Sequence, residues 1–582
     1  MHSHHPISAA QALTSAVMPR PRDTIGGMLR RCVLSLTLLL VAIPVSASHP
    51  VRARKAMVVA QEPHATEVGV EILKAGGNAV DAAVAIGFAL AVTHPTAGNL
   101  GGGGFLLLRK ANGETTFLDF RERAPETATR DMYLDATGKL TDESVKGWRA
   151  TGVPGTVHGL ALAHKKYGSK PWAVLLAPAI KLARGFPVTY SVAQSLKSSD
   201  LLAAFPESRR IFQRNGSFYE PDEMLVQPEL AATLQRIARF GAKDFYEGAI
   251  AKRLAAEMEK HGGLIRLDDL KAYRTAERTP LTGSYQGYNI ITAPPPSSGG
   301  LGILQMMGML EGSGYTRYGA GSAAAIHYVA EVMRRYYADR SEFLADPDFY
   351  KVPVSGLLSK EYINRRKTSI DPEHASTSDA IRQGQPVIAE SGETTHFSIL
   401  DAQGNAVALT YTLNGTYGSG VTVPGLGFLL NNEMDDFTAK PGEPNMFGLV
   451  QGEANAIQPR KRPLSSMTPT IILKDGKVFM IVGAPGGSRI INGVLQVILN
   501  VIDFGMNVQD AINAPRFHHQ WQPDKLSLER GFSPDTITLL KSMGHTVDSI
   551  TTVASVEAIV VQKDGWLSGG SDPRAYGTAA GY

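Results

Sequence analysis

The sequence predicts a mixed α/β (α+β) fold, and three observations lead there. Two apolar stretches near the start have helical spacing, Thr394 to Thr412 reads as a hairpin of β-branched and aromatic residues, and an apolar helix from Arg489 to Ile502 follows a glycine turn. The chain has 582 residues, 43% hydrophobic and 19% charged, a globular composition with enough apolar material for a large core. No Pro/Ser-rich linker, charge block or internal repeat interrupts it after residue 50, so one compact body is expected.

At the start, Arg30-Arg31 precede the apolar run Cys32 to Val45, which ends in Val45-Ser46-Ala47. Basic residues, a short apolar stretch and small residues at its end make a secretory signal cleaved after about Ala47. The run is too short for a membrane span. Residues 1–47 therefore read as an extension plus signal, and the mature protein as periplasmic or secreted, with no stable membrane anchor. The signal sits late: either Met28 is the true start, or residues 1–27, rich in Ser, His and Pro, are a disordered extension. The net charge of +4 is mild, and Arg20, Arg22, Arg30, Arg31, Arg52, Arg54 and Lys55 all fall in the first 55 positions. A nucleic-acid surface is not implied. Cys32, the only cysteine, lies in the signal, which leaves the mature chain no disulfide and no thiolate metal site.

Thr66 to Ala75 and Asn78 to Val92 are the first two helices, separated by Gly76-Gly77 as a C-cap, with Asn78 as the next N-cap. The second, rich in Ala with Ile86, Phe88 and Leu90, is expected to be buried. Gly98-Asn99-Leu100-Gly101-Gly102-Gly103-Gly104 then leads into the strand Phe105 to Leu108. No strand precedes this loop and no Gly-Lys-Ser/Thr follows it, so tight backbone packing accounts for it better than a phosphate cradle. No cofactor is expected. Residues 150–390 read mostly as helices, with a loop at Pro294-Pro295-Pro296-Ser297-Ser298-Gly299-Gly300, and suggest little chemistry.

The hairpin carries the chemistry. Thr394 to Leu400 and Ala406 to Thr412 flank the turn Asp401-Ala402-Gln403-Gly404-Asn405, and a turn centred on Gln403 sets Thr394 opposite Thr412. Thr394-Thr395-His396 reads on its own as plain strand. It gains a second meaning if Thr394 becomes an N-terminus. A free α-amine, with a pKa of about 7.7–8.0, is then the base that activates the threonine hydroxyl. The Glu393–Thr394 bond would be cut by the same hydroxyl, and Thr412 would orient Thr394 Oγ. His396 lies two residues on, and its role stays open.

With these residues the chain resembles the γ-glutamyltransferase (γ-glutamyl transpeptidase) family of N-terminal-nucleophile hydrolases. Besides Thr394-Thr395-His396, the resemblance rests on Asp119-Phe120-Arg121-Glu122, Thr412-Leu413-Asn414, Asn431 to Phe437, Arg462 to Met467, Pro485 to Arg489 and the closing Ser571-Asp572-Pro573-Arg574. It implies a four-layer αββα sandwich formed by two autoprocessed fragments, a large one of 48–393 and a small one of 394–582. It also implies a γ-glutamyl donor such as glutathione, whose α-carboxylate would be gripped by Arg121, Ser465 and Ser466. The α-ammonium would be received by Asn414, Glu433 and Asp436. The Gly486 and Gly487 N–H groups, before an apolar helix, would stabilise the tetrahedral oxyanion. Acceptors would be water, an amino acid or a dipeptide. Residues 441–456 resemble the family's lid, with Phe447 as its aromatic residue, and read equally well as a surface loop.

Singly, these residues have plainer readings. Arg121-Glu122 would serve as a surface ion pair, Asp435-Asp436 as a solvated turn, Ser465-Ser466 as a cap, and Gly486-Gly487 as a strand-to-helix turn. His518-His519, as strand neighbours, point to opposite faces and are unlikely partners on one metal ion; no metal is expected. Two positions depart from some family members, Glu393 and Glu433, each standing where others have Gln. Two rivals are a cephalosporin or glutaryl amide acylase of the same fold and a secreted γ-glutamyl peptide binding protein. The set Arg121, Glu433 and Asp436 argues against the acylase.

Overall fold

The first helix, Pro63–Lys74, begins where Glu62 turns its carboxylate onto the N–H groups of His64 and Ala65, with proline in the first turn. The second, Ala79–Thr93, opens with a capping box: Asn78 accepts from Val80 and Asp81, and the Asp81 carboxylate accepts from the Asn78 N–H. All 15 of its residues are buried, as its apolar circumference demands. The pair packs closely because residue 69 is glycine; a Cβ there would stand 2.5 Å from Ile86 Cδ1. This computed structural model describes residues 48–382, 393–440, 446 and 453–582, so the signal segment and Cys32 lie outside it.

Two seven-stranded sheets, antiparallel throughout, stack at the centre. From edge to edge the first runs Thr578–Gly581, Met57–Ala60, Glu393–Leu400, Ala406–Asn414, Gly103–Arg109, Thr115–Asp119 and Ala276–Arg278. The second runs Val51–Ala53, Leu567–Gly570, Glu557–Val561, Lys477–Gly483, Thr470–Lys474, Tyr288–Thr292 and Leu281–Tyr285. Strands from before and after Glu393 are interleaved in both sheets.

The two-residue period of the strands sorts side chains into layers. Phe397, Ile399, Val407 and Leu409 face the first two helices, in a core with Ile86 and Phe88. Leu107, Leu400, Ala406 and Ala408 face the second sheet, where Ile471, Ile481 and Ile559 meet them. Helices Gly299–Leu310, Ala323–Phe343 and Ile490–Ile502 cover that sheet's outer side through residues such as Leu301, Met333 and Val494. The result is the expected αββα sandwich, and residues 49–582 form one compact unit. Full burial of a side chain such as Phe397 stabilises it by about 1.5–3 kcal/mol.

The middle is mostly helical, as expected, and adds short strands that its pattern did not announce. Ala276–Arg278, Leu281–Tyr285 and Tyr288–Thr292 are strands that extend both sheets. They are short, and the first two leave polar residues partly exposed, so their apolar signal is weak.

Candidate active site

Strand Glu393–Leu400 pairs with Ala406–Asn414 in the register the hairpin predicts, Thr395 with Tyr411 down to Leu400 with Ala406, but Glu393 pairs with Asn414. The shift is a β-bulge in which Thr412 and Leu413 oppose Thr394, so Thr394 and Thr412 are not a ladder pair. They meet instead in a small cavity of about 10 Å³, lined also by Arg121, Glu433, Asp436, Ser465, Ser466, Met467 and Ile490. Thr412 Oγ1 accepts from the Asn414 N–H at 2.8 Å, and Asn414 takes up a left-handed φ of 76°, which asparagine tolerates. The Asn414 Nδ2 donates to the Asn432 carbonyl, while its Oδ1 is buried with no hydrogen bond among the described residues.

Arg121 follows the strand Thr115–Asp119 and is 1% exposed. Its guanidinium donates to Glu433 Oε1, to Asp436 Oδ2, to the Leu464 carbonyl at 2.8 Å and to the Pro463 carbonyl at 3.2 Å. This is not the surface ion pair with Glu122 that the sequence alone allows. Glu122 is fully buried, with Oε2 3.8 Å from Arg121 Nη1. Nor is Asp435-Asp436 a solvated turn: Glu433–Asp436 is a buried 3-10 turn in which Asp435 faces away to accept from Ser144 Oγ at 2.7 Å. Burial pushes the carboxyls of Glu122, Glu433 and Asp436 up, with Arg121 opposing it in each case.

Ser465 and Ser466 are held by residues to which the sequence assigned no chemistry. The loop after strand 288–292 pairs with them: the Ser465 N–H donates to the Pro296 carbonyl, and Ser298 returns its N–H and hydroxyl to the Ser465 carbonyl. Helix Ala323–Phe343 supplies the second support. Arg340, fully buried, donates from Nη2 to Ser466 Oγ at 2.7 Å and from Nε to Ser298 Oγ at 2.9 Å. Its charge in a buried helix was the only available signal, since a buried arginine needs specific partners.

Gly486 and Gly487 are not in the small cavity. They line a neighbouring cleft of about 440 Å³ with Met446, Ser488, Arg489, His518, Gln520, Pro523, Lys525, Ser527, Asp548 and Ile550. Ile490, at the start of the following helix, reaches the small cavity from the same turn. Both glycines have positive φ, 135° and 63°, and a Cβ on Gly486 would stand 2.7 Å from Ala554 Cα. In the Gly98–Gly104 run, Cβ atoms at 102, 103 and 104 would lie 2.0–2.4 Å from the carbonyls of Thr412, Phe120 and Thr410. Backbone packing explains that run.

The histidines serve separate partners. His396 lies between the sheets, bonded to Thr410 and Ser398 hydroxyls, and burial lowers its pKa to about 3. His518 meets Asn492 and Gln520, and His519 meets Asp524. The candidate metal-binding group among the described residues is His327, Glu331 and His545. There the two histidines bond each other at 2.8 Å, and Glu331 is taken by Arg334 and Arg335. Of the lid-like segment 441–456, residues 441–445 and 447–452, including Phe447, lie outside the described residues.

Comparison with known proteins identifies the family. The Gamma-glutamyltranspeptidase family model matches residues 65–582. The glutathione hydrolase proenzyme of Escherichia coli (strain K12) is 53% identical over 531 residues, covering 90% of this chain and 92% of that protein. The crystal structure of cephalosporin acylase from Bacillus halodurans superposes with a TM-score of 0.82 at 29% identity, covering 93% of this chain and 98% of the acylase. That of Helicobacter pylori gamma-glutamyltranspeptidase gives 0.55 at 42% identity, covering 59% of this chain and 97% of that one. On the match over residues 65–582 and the similarity across the chain, this protein belongs to the gamma-glutamyltranspeptidase family.

Proposed function

We propose that the chain is a self-cleaving γ-glutamyltransferase that hydrolyses or transfers the γ-glutamyl group of glutathione and other γ-glutamyl amides. The observation that best supports this is a threonine at a bulge, sharing one cavity with a guanidinium, two carboxylates and two serine hydroxyls. A γ-glutamyl donor offers the complementary set: an α-carboxylate for Arg121, Ser465 and Ser466, and an α-ammonium for Glu433, Asp436 and Asn414.

Maturation uses the same residue. Thr394 Oγ attacks the Glu393 carbonyl, the peptide C–N bond breaks with its nitrogen gaining the proton, and water hydrolyses the resulting ester. The products are a large fragment of 48–393 ending in a carboxylate and a small fragment of 394–582 with a free amine on Thr394. The cavity of about 10 Å³ is the size of one water, so it must enlarge for a donor to enter. In the reaction, the α-amine takes the Oγ proton as Oγ attacks the γ-carbonyl. The proton passes to the departing amine, and water or a second amine then releases the γ-glutamyl group. Gly486 and Gly487 N–H groups stabilise both tetrahedral states. The leaving amine and the acceptor occupy the larger cleft beside them. The leader at 1–47 favours a periplasmic or secreted enzyme.

An acylase reading keeps Thr394, and a neighbour of this fold is named cephalosporin acylase. A glutaryl side chain brings no α-ammonium to Glu433 and Asp436, which makes this the weaker reading. A denaturing gel with intact masses and the N-terminus of the smaller fragment tests the cut: two fragments, one starting at Thr394, are expected, and an uncut Thr394→Ala. Processing that persists in Thr394→Ala would remove Thr394 as nucleophile. Turnover of glutaryl anilide in preference to γ-glutamyl anilide would favour the acylase.

A further inference from the structure

Gly486 and Gly487 can stabilise an oxyanion only if their N–H groups are free and held still. Neither N–H donates to a protein acceptor among the described residues. Neither glycine has a side chain to anchor it and both take up positive φ, so the pair is only as well placed as the residues that flank it. Those flanks are fixed. On one side the Pro485 carbonyl accepts from the Ser555 N–H at 3.2 Å, and within the turn the Gly486 carbonyl accepts from the Arg489 N–H at 3.2 Å.

Ser488, the first residue after the pair with a side chain, is gripped at two atoms. Its carbonyl accepts from the hydroxyl of Tyr337, a buried residue of the helix Ala323–Phe343. Its own hydroxyl donates to Gln520 Oε1 at 3.0 Å. Gln520 is fixed in turn. Asn492 Nδ2 donates to His518 Nδ1 at 2.8 Å and to the His519 carbonyl at 3.2 Å, and that carbonyl sets which way the amide faces. Nδ1 of His518 is therefore an acceptor, its proton sits on Nε2, and Nε2 donates to Gln520 Oε1 at 2.8 Å. Burial lowers the His518 pKa to about 3, in keeping with this neutral form. With both nitrogens engaged, His518 cannot be the base for an incoming amine, although it lines the cleft.

We propose that Tyr337 and Gln520 are positioning residues for the reaction: they clamp Ser488 at its carbonyl and its hydroxyl, and so keep the Gly486 and Gly487 N–H groups aimed at the oxyanion. Asn492 and His518 hold Gln520 in place. The helix that brings Tyr337 to Ser488 also brings Arg340 to Ser466, so one element braces the oxyanion turn and the donor serines together. Hydrogen-bond donors fixed before the reaction stabilise the developing charge without reorganising, so loosening them costs turnover rather than binding. The effect on turnover rests on the γ-glutamyl reading; the clamp does not.

Two measurements on the purified processed protein test it. In γ-glutamyl anilide hydrolysis, Tyr337→Phe keeps the ring that packs edge-on against His518 and removes only the hydroxyl; kcat should fall about tenfold, with donor KM within about twofold of wild type. Gln520→Leu and Ser488→Ala should each do the same. Gln520→Glu, which retains an acceptor oxygen for His518 and Ser488, and Ser488→Thr, which retains the hydroxyl, should restore kcat. A purely structural role would lower thermal stability and leave kcat per processed molecule unchanged; that result, or a rise in KM at constant kcat, overturns the proposal. Hydrogen exchange over residues 485–490 should be faster in Tyr337→Phe and Gln520→Leu than in wild type, because the Arg489 N–H opens with the turn. Unchanged exchange overturns the clamp. If wild type cleaves no γ-glutamyl anilide, the functional reading fails and the exchange alone decides the clamp.

Discussion

Two buried clusters of arginine and carboxylate are present among the described residues, and their charges are balanced differently. Around Glu331, on the helix Ala323–Phe343, two guanidiniums, Arg334 and Arg335, match two carboxylates, Glu331 and Asp524. Glu331 accepts from Arg334, Arg335 and the Ser376 N–H, and Asp524 accepts from Arg334, His519 and the Ser378 N–H. Burial alone would raise Glu331, but the two guanidiniums outweigh it and its pKa is lowered. Around Arg121 acids are in excess, and the carboxyls of Glu122, Glu433 and Asp436 are raised. A closed, fully paired cluster serves the fold. The open one, with oxygens left over, is the cluster proposed to receive a charged ligand.

The largest expected effects separate the two clusters cleanly. Arg121→Met should lower kcat/KM for γ-glutamyl anilide by about 10²–10³-fold per folded molecule, since a buried charge-assisted contact to substrate is lost. Arg335→Met should instead leave kcat/KM per folded molecule unchanged and cost about 3–5 kcal/mol of stability through the weakened pairing of Glu331. Thermal unfolding alongside steady-state kinetics checks both. An Arg335 variant that kept its stability and lost activity would erase the distinction.

Acid should push the clusters in opposite directions. His545 beside His327 has its pKa lowered to about 3, chiefly by burial, against 6.5 for an unperturbed histidine. A depressed folded value means its stabilising contribution is complete above pH 6.5 and is lost as pH falls towards 3. At about pH 5 the loss is about 2 kcal/mol for this one group, and adding positive charge near Arg334 makes the closed cluster weaker. The donor-pocket carboxyls, pushed up by burial, become less costly to bury as acid protonates them. Urea unfolding from neutral to acid pH should show His545→Gln less acid-sensitive than wild type; an equal slope would place the acid weakness elsewhere.

The smallest expected effect concerns Arg340, which lies between the regions on the helix of Glu331 but points its guanidinium at Ser466. By donating into Ser466 Oγ it leaves that hydroxyl's own proton for a substrate carboxylate. Arg340→Met should raise donor KM about tenfold and move kcat little. A fall in kcat larger than the rise in KM would show a role beyond donor binding.

Much of the site was legible because its residues sit in short, distinctive runs. Thr394 and Thr412 could be placed on facing strands, since a five-residue turn fixes register for the strands it joins. The bulge at Thr394 was not legible, because it depends on the left-handed Asn414 and its bond to Asn432. Arg121, Glu433 and Asp436 were assigned separate duties towards a ligand; that they bind one another is a tertiary fact across more than 300 residues. Ser298 and Arg340 were missed for the same reason, lying 167 and 126 residues from the serines they hold. The strands at 276–292 were missed because they are short and half polar, with their stabilisation supplied by neighbours rather than by their own pattern.

The alternation of strands from before and after Glu393 has a consequence for assembly. In the first sheet, Met57–Ala60 is hydrogen-bonded between Thr578–Gly581 and Glu393–Leu400, so a piece of the larger fragment is clamped by two pieces of the smaller. Such a weave can be laid down by one continuous chain, whose parts are held at high local concentration while the sheets form. After the cut, the same weave must be rebuilt by collision of two separate molecules. Unfolding of the mature enzyme would then be a one-way event, and its lifetime would be set by how slowly it opens, not by how readily it re-forms.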